Sequence, residues 1–460
     1  MQNSITEGPI LRPLLTFFFP ILLGTFFQQL YNTADAAIVG NFVGTAALGA
    51  VGGPTTLIIN FLVNLFIGLS SGATVVAAQA YGSHRLKDLQ ETVQTGLALA
   101  LAVGVVITVL GIALSGPVLR LMGTPADVMS YALIYLRVYF CGTVASFLYN
   151  MGSSILRATG DTRRPLYFLV AACLTNILLD LLFVAGLGMG VFGAALATIL
   201  SQVVSAIFSL LVLFYPGTPY RVDPRDIGFH GDKLKSILRI GLPTGIQSNM
   251  YTVSNLVLQA CINSFGTAAV AAWTAYGKVD GFYWMVSGAF GVSVTTFASQ
   301  NFGAQRYDRM RRGTRISLIA LFVTTLFIST LFCVAAPVLL RLFTSDQTVV
   351  DLGIRILWLA TPFYFTFICI EIFSAAARGA GDAIRPVLFT FGGVCLLRVL
   401  WVFLVLPHWN SLDTVIISYP ISWSITSLFY IVYYLRGGWL RRGIARAGFL
   451  QEDVRPHAAV

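Results

Sequence analysis

The sequence predicts an all-α integral membrane fold of twelve transmembrane helices, set as two six-helix repeats around a central cavity. Three observations carry that expectation. Apolar runs of spanning length recur along the chain, basic residues alternate between successive loops, and two loop motifs return at one constant offset. With 57% hydrophobic and only 10% charged residues over 460 positions, the chain has too little polar surface for a soluble globule.

Windows of about 20 apolar residues, the length that crosses a bilayer, fall near 14–39, 53–80, 93–115, 128–154, 165–186 and 191–215, then 235–263, 275–299, 315–338, 350–376, 386–407 and 412–435. A missed or invented helix would scramble the sides on which loop charges fall. Arg12, Arg85 with Lys87, Arg157 to Arg164, Arg221 to Arg239, Arg306 to Arg315, Arg378 with Arg385, and Arg436 to Arg455 all fall on the side of the N-terminus. Only Arg120, Arg137, Lys278, Arg341, Arg355 and Arg398 lie opposite or within helices. The positive-inside rule then predicts a multi-pass plasma-membrane protein with both termini cytoplasmic. The net charge of +10 reads as orientation signal and contact with membrane lipids, with no nucleic-acid partner. No signal peptide is expected ahead of the first span. The six cysteines show no CxxC or Cys/His spacing, so neither disulfides nor a metal centre is indicated.

Gln79-Ala80-Tyr81-Gly82 resembles Gln300-Asn301-Phe302-Gly303, and Arg157-Ala158-Thr159-Gly160-Asp161 resembles Arg378-Gly379-Ala380-Gly381-Asp382, every pair being 221 residues apart. Gly44-Thr45-Ala46-Ala47 and Gly266-Thr267-Ala268-Ala269 agree at 222. The expected organisation is a lobe over 1–215, a proline-containing cytoplasmic linker over 216–233, a second lobe over 234–436 and a cytoplasmic tail over 437–460. Six helices per repeat insert both halves in the same sense, an arrangement suited to rocking one half against the other.

Asp35 is the only charge in the first apolar run after Arg12. Such a residue at membrane depth is costly and marks an ion or substrate pathway, unless it reaches interfacial water near the helix end. Asn176 and Asp180 are four apart and share a helix face, and Thr198 in the next helix adds a hydroxyl. Together these oxygens suit a proton or a small hard cation such as Na⁺, although Asn176 and Thr198 could equally serve interhelical hydrogen bonding. The second half has Val257, Leu397 and Trp401 at the equivalent places and a single buried acid, Glu371, where the first half has Asn150. Glu371 is a candidate substrate or second titratable group, its alternative being an ion pair with an arginine such as Arg398. In the loops, Asp161 and Asp382 suit helix caps. With Arg157 and Arg378, they could instead form a charge lock that holds one state closed.

At these residues the chain resembles the multidrug and toxic compound extrusion (MATE) family, in its bacterial branch. The resemblance rests on the two six-helix halves, the paired Gln-x-x-Gly and Arg-x-x-Gly-Asp loops, and Asp35. It implies a cation-coupled antiporter that exports organic cations, acting as a monomer with no cofactor beyond the coupling H⁺ or Na⁺. It also implies ion binding at Asp35, Asn176, Asp180 and Thr198, and likens Glu371 to a tenth-helix acid of some members. The seventh helix departs from those members that carry a glutamate there, since Tyr251 to Ala260 has no acid. An alternative is a flippase for lipid or lipid-linked saccharide, for which Arg137, Arg355 and Arg398 would be the phosphate-binding candidates. An enzyme is not expected, because His84, His230, His408 and His457 are dispersed and form no catalytic group.

Overall fold

The apolar runs become helices whose exposed sides are covered with large hydrophobic residues, the reverse of a soluble protein. A computed structural model describes residues 5–448. Its helices are α1 (Leu11–Phe42), α2 (Thr45–Gly82), α3 (Leu86–Leu121), α4 (Ala126–Cys141 and Thr143–Ala158, bent by 52°), α5 (Arg163–Gly186) and α6 (Gly190–Phe214). The second half holds α7 (Gly231–Asn263), α8 (Thr267–Gly303), α9 (Tyr307–Arg341), α10 (Gln347–Gly379), α11 (Ile384–Leu404) and α12 (Leu412–Leu435), followed by a short α13 (Gly438–Ala447). Among the described residues, nine of these are long and apolar enough to cross a membrane unaided, and bent α4 makes a tenth. Helices α7 and α8 complete the expected twelve but are more polar, with Gln247, Ser248 and Asn249 in one and Lys278 and Asp280 in the other.

The duplication is written into the backbone. His84 and Gln305, 221 residues apart, are the only non-glycine residues at positive φ among those described, at 57° and 58°. Each follows a repeated Gln-x-x-Gly segment and ends a helix with the same bond: Arg85 N–H donates to Ala80 O at 3.0 Å, Arg306 N–H to Asn301 O at 2.8 Å. Gly160 and Gly381 repeat the pattern at φ 106° and 82°. Here Asp161 N–H reaches Leu156 O at 2.9 Å and Asp382 N–H reaches Ala377 O at 3.0 Å. A residue in the left-handed region, most easily glycine, ends a helix in this way, so both Arg-x-x-Gly-Asp motifs encode the same turn.

The chain packs as two compact units, Phe19–Gly245 and Met1–Phe18 with Ile246–Val460. The divisions therefore fall inside α1 and α7, two residues from Pro20 and Pro243, and not at residues 216–233. That segment is held by the first unit. Tyr220 and Val222 are buried in its core, the Tyr220 hydroxyl accepts from Arg164 at 3.0 Å, and Lys233 pairs with Asp88 at 2.5 Å. Within the same unit α2 and α7 touch backbone to backbone. A methyl group at Gly68 would lie 2.2 Å from Gly245 N, and one at Gly72 would lie 2.4 Å from Ile237 O. Both helices thus present small residues four apart, which is how membrane helices approach closely.

In the other unit, Arg309 donates to the carbonyls of Ile5, Glu7 and Gly8, which ties the N-terminal segment to α9. The expected tail begins as ordered structure, with Trp439, Leu440 and Ile444 of α13 buried against Phe302, Met310 and Tyr433. Arg455 and His457 lie outside the described residues.

Candidate ion site and a second acidic centre

Asp35, Asn176, Asp180 and Thr198 all belong to the first unit, on α1, α5, α5 and α6, and all are buried, Asn176 and Asp180 with no exposure at all. Their helices meet in one buried apolar cluster, in which Val39 of α1, Tyr135 of α4, Val184 of α5 and Ala194 of α6 pack together. The Thr198 hydroxyl donates to Ala194 O at 3.0 Å. The sequence-predicted oxygens are therefore gathered from three helices, with Tyr135 of α4 joining them. Asp180 is the last residue of regular α-helix in α5, and a π-helical turn follows from Leu181 to Gly186. Such turns are frequent at functional positions.

The satisfaction of these groups is unusual. Buried polar atoms nearly always find a partner, yet both Asp180 carboxylate oxygens, Asp35 Oδ1 and both amide atoms of Asn176 have none in the protein. Two carboxylates, an amide oxygen and a hydroxyl match the donor set of a hard monovalent cation or a shared proton. The surrounding wall of Ile38, Val39, Val184, Val191 and Ala194 is apolar, so charge placed here is poorly screened.

Glu371 lies on α10 with its carboxylate over α8, where Gly291 leaves the room; a methyl group there would sit 1.7 Å from Glu371 Oε1. The alternative pairing with Arg398 is absent among the described ion pairs. Arg398 Nε instead donates to Ser422 at 2.8 Å, and its guanidinium stacks 4.1 Å above Tyr419. Arg157 and Arg378 keep matching partners, Ser154 at 3.1 Å and Ser374 at 3.3 Å. The two loop aspartates diverge. Asp161 Oδ1 accepts from Arg164 N–H at 3.1 Å, in the manner of a cap. Asp382 is 1% exposed and accepts from Tyr433 at 2.7 Å and from Arg442 at 2.8 and 3.0 Å.

The expectation of a single acid in the second half is corrected by Asp280 on α8. Trp284 Nε1 donates to its Oδ2 at 2.7 Å, the Tyr276 hydroxyl to Oδ1 at 3.2 Å, and the Tyr364 hydroxyl also to Oδ1. Tyr283 stacks on Tyr364 at 4.1 Å and Trp423 lies edge-on at 5.9 Å, which completes an aromatic box. Tyr276, Asp280 and Trp284 stand at four-residue spacing on one helix face. That spacing was the readable signal, but nearby Lys278 makes the stretch look like a helix end.

With this geometry in view, comparison with known proteins is decisive. The MatE family model matches residues 20–182 and again 243–404, so one model covers both halves and most of the chain. The chain belongs to the MATE family. MATE proteins are transporters, and the chain is a multi-pass membrane protein of that kind. It is 28% identical over 450 residues to the Probable multidrug resistance protein YoeA of Bacillus subtilis, covering 96% of each chain. It is 27% identical over 358 residues to an FAD transporter of Shewanella oneidensis, covering 76% of this chain and 78% of that one. A solved multidrug resistance MATE family transporter in an outward-facing conformation shares the fold at TM-score 0.89 and 24% identity, covering 96% of this chain and 99% of that one.

Proposed function

We propose that this MATE protein is a plasma-membrane antiporter that exports cationic, partly aromatic organic compounds in exchange for inward H⁺ or Na⁺, with both termini cytoplasmic. The observation that carries the reading is the buried, protein-unpartnered set of Asp35, Asn176 and Asp180 oxygens. Two carboxylates within each other's field cannot both stay charged and dry without cost. A proton or Na⁺ relieves that cost, and hence stabilises whichever conformation keeps the group closed. Coupling requires this differential affinity between two states. The name of the Bacillus subtilis relative supports multidrug export.

The test is dye uptake into inverted vesicles, whose lumen corresponds to the cell exterior, under separately imposed H⁺ and Na⁺ gradients. Uptake should follow one of them and should vanish in Asp35→Asn at normal expression. Undiminished uptake in that variant would remove Asp35 from the mechanism.

An anionic cargo is the second reading. It is favoured by the Shewanella oneidensis relative, named an FAD transporter, and by Arg398, which is 2% exposed and leaves Nη2 without a protein partner. Uptake of FAD in place of cationic dye by the same vesicles would select it.

A further inference from the structure

A cavity of about 720 Å³ opens beside α11, α12 and α13, at the C-terminal end of α12. Its rim carries Arg385, Arg436, Arg441 and Arg442, and its wall includes Phe429 and Val432. Phe429 and Val432 are 48% and 41% exposed, and Leu428 beside them is 60% exposed. On a transmembrane helix such residues face acyl chains. The cavity is therefore open toward lipid on one flank and basic at its mouth.

The charges are unbalanced. Arg385, Arg442 and Arg446 all converge on one carboxylate, that of Asp382, at 3.5, 2.8 and 3.7 Å. Arg436 and Arg441 are exposed and have no ion-pair partner among the described residues. The Arg441 guanidinium instead donates to Arg436 O at 3.1 Å, which holds the two residues together. The N-terminus of α13 adds to the field: its first residue, Gly438, lines the cavity, and no side chain caps that end. Uncapped helix N-termini favour phosphate oxygens. Gly438 also lets Arg442 lean over the helix end, since a methyl group there would lie 2.7 Å from Arg442 Nη1.

We propose that this cavity is a binding site for an anionic phospholipid of the adjoining leaflet. Its phosphate sits between Arg436, Arg441 and the α13 N-terminus, and its acyl chains run along Leu428, Phe429 and Val432. A basic pocket at a helix end with an apolar flank is the chemistry by which membrane proteins select charged headgroups. The site would clamp α13 to the end of α12 and is separate from the ion site. It does not depend on the transport reading above.

The probe is phosphatidylglycerol, offered to the lipid-depleted full chain in detergent and followed by native mass spectrometry. Phosphatidylcholine with the same chains and glycerol 3-phosphate serve as competitors. Phosphatidylglycerol should be retained over both. The double variant Arg436→Gln with Arg441→Gln should bind it about 30-fold less tightly, at about fivefold for each guanidinium lost beside an anionic lipid. Its apparent melting temperature without lipid should not change. Equal retention of phosphatidylcholine, or undiminished binding by the double variant, overturns the proposal. So does competition by glycerol 3-phosphate at equal concentration, which would make the site one for free phosphate.

Discussion

The two halves share a backbone to the level of matched left-handed turns, yet Asp35 and Asp180 of the first and Asp280 of the second are treated in opposite ways. In the first half, Asp35 and Asp180 are near one another and are short of protein donors. In the second, Asp280 is held by Tyr276, Trp284 and Tyr364. A carboxylate with three donors is a finished structural element, since each hydrogen bond to a charged group contributes about 1.5–3 kcal/mol. A carboxylate without donors is a cost the fold carries, and such costs persist where a ligand relieves them. Duplication supplied one scaffold, and side-chain chemistry divided the work.

The sharpest way to break this comparison is to remove each acid and read stability and transport together. Asp180→Asn should abolish coupled efflux while leaving the apparent melting temperature unchanged or raised, because it relieves repulsion between two poorly solvated carboxylates. Asp280→Ala should lower it strongly, by about 3 kcal/mol or more in stability, as two tyrosines and a tryptophan lose their acceptor. Thermal unfolding of both variants in detergent, beside dye uptake into inverted vesicles, separates the cases. If Asp180→Asn is the less stable variant, the first site is structural and the contrast fails.

A smaller effect sharpens the second centre. Tyr364→Phe deletes one hydroxyl from Asp280 but keeps the stack on Tyr283. It should cost about 1.5–3 kcal/mol, less than Asp280→Ala, and the two losses should not add because they share one bond. A double-mutant cycle by thermal unfolding measures the shared part. Full additivity would show that the aromatic box stands without its acid.

How much of this was legible depended on whether a residue's meaning was local. Ten of the twelve helices followed from apolar length, and the repeat followed from sequence similarity at fixed spacing, because a helix stop such as Gly160-Asp161 needs only its own neighbours. Asn176 and Asp180 announced themselves by four-residue spacing in an apolar run. The donors of Asp280 were partly hidden, since Tyr364 lies 84 residues away and only folding brings it there. The packing units were not legible either. Val222 and Tyr220 look like linker in a proline-containing stretch, but their burial is decided by helices elsewhere in the chain.

The smallest effect concerns the loop aspartates, where a shared Arg-x-x-Gly-Asp-x-x-Arg-Pro pattern hides different work. Asp161 accepts one bond from the backbone N–H of Arg164 and forms one ion pair with its half-exposed side chain at 3.3 Å. Its replacement by alanine should cost about 1 kcal/mol, the usual worth of a cap, since an exposed ion pair adds little. Asp382 is buried and organises Tyr433, Arg442, Arg385 and Arg446. Its replacement should cost more, because it strands the Tyr433 hydroxyl and releases α13 from the loop after α10. The same change should raise the cleavage of α13 by trypsin at Arg441 and Arg442, with no such effect from Asp161→Ala. Equal proteolysis of the two variants would mean that both aspartates are only caps, and that α13 is held by Trp439 and Ile444 alone.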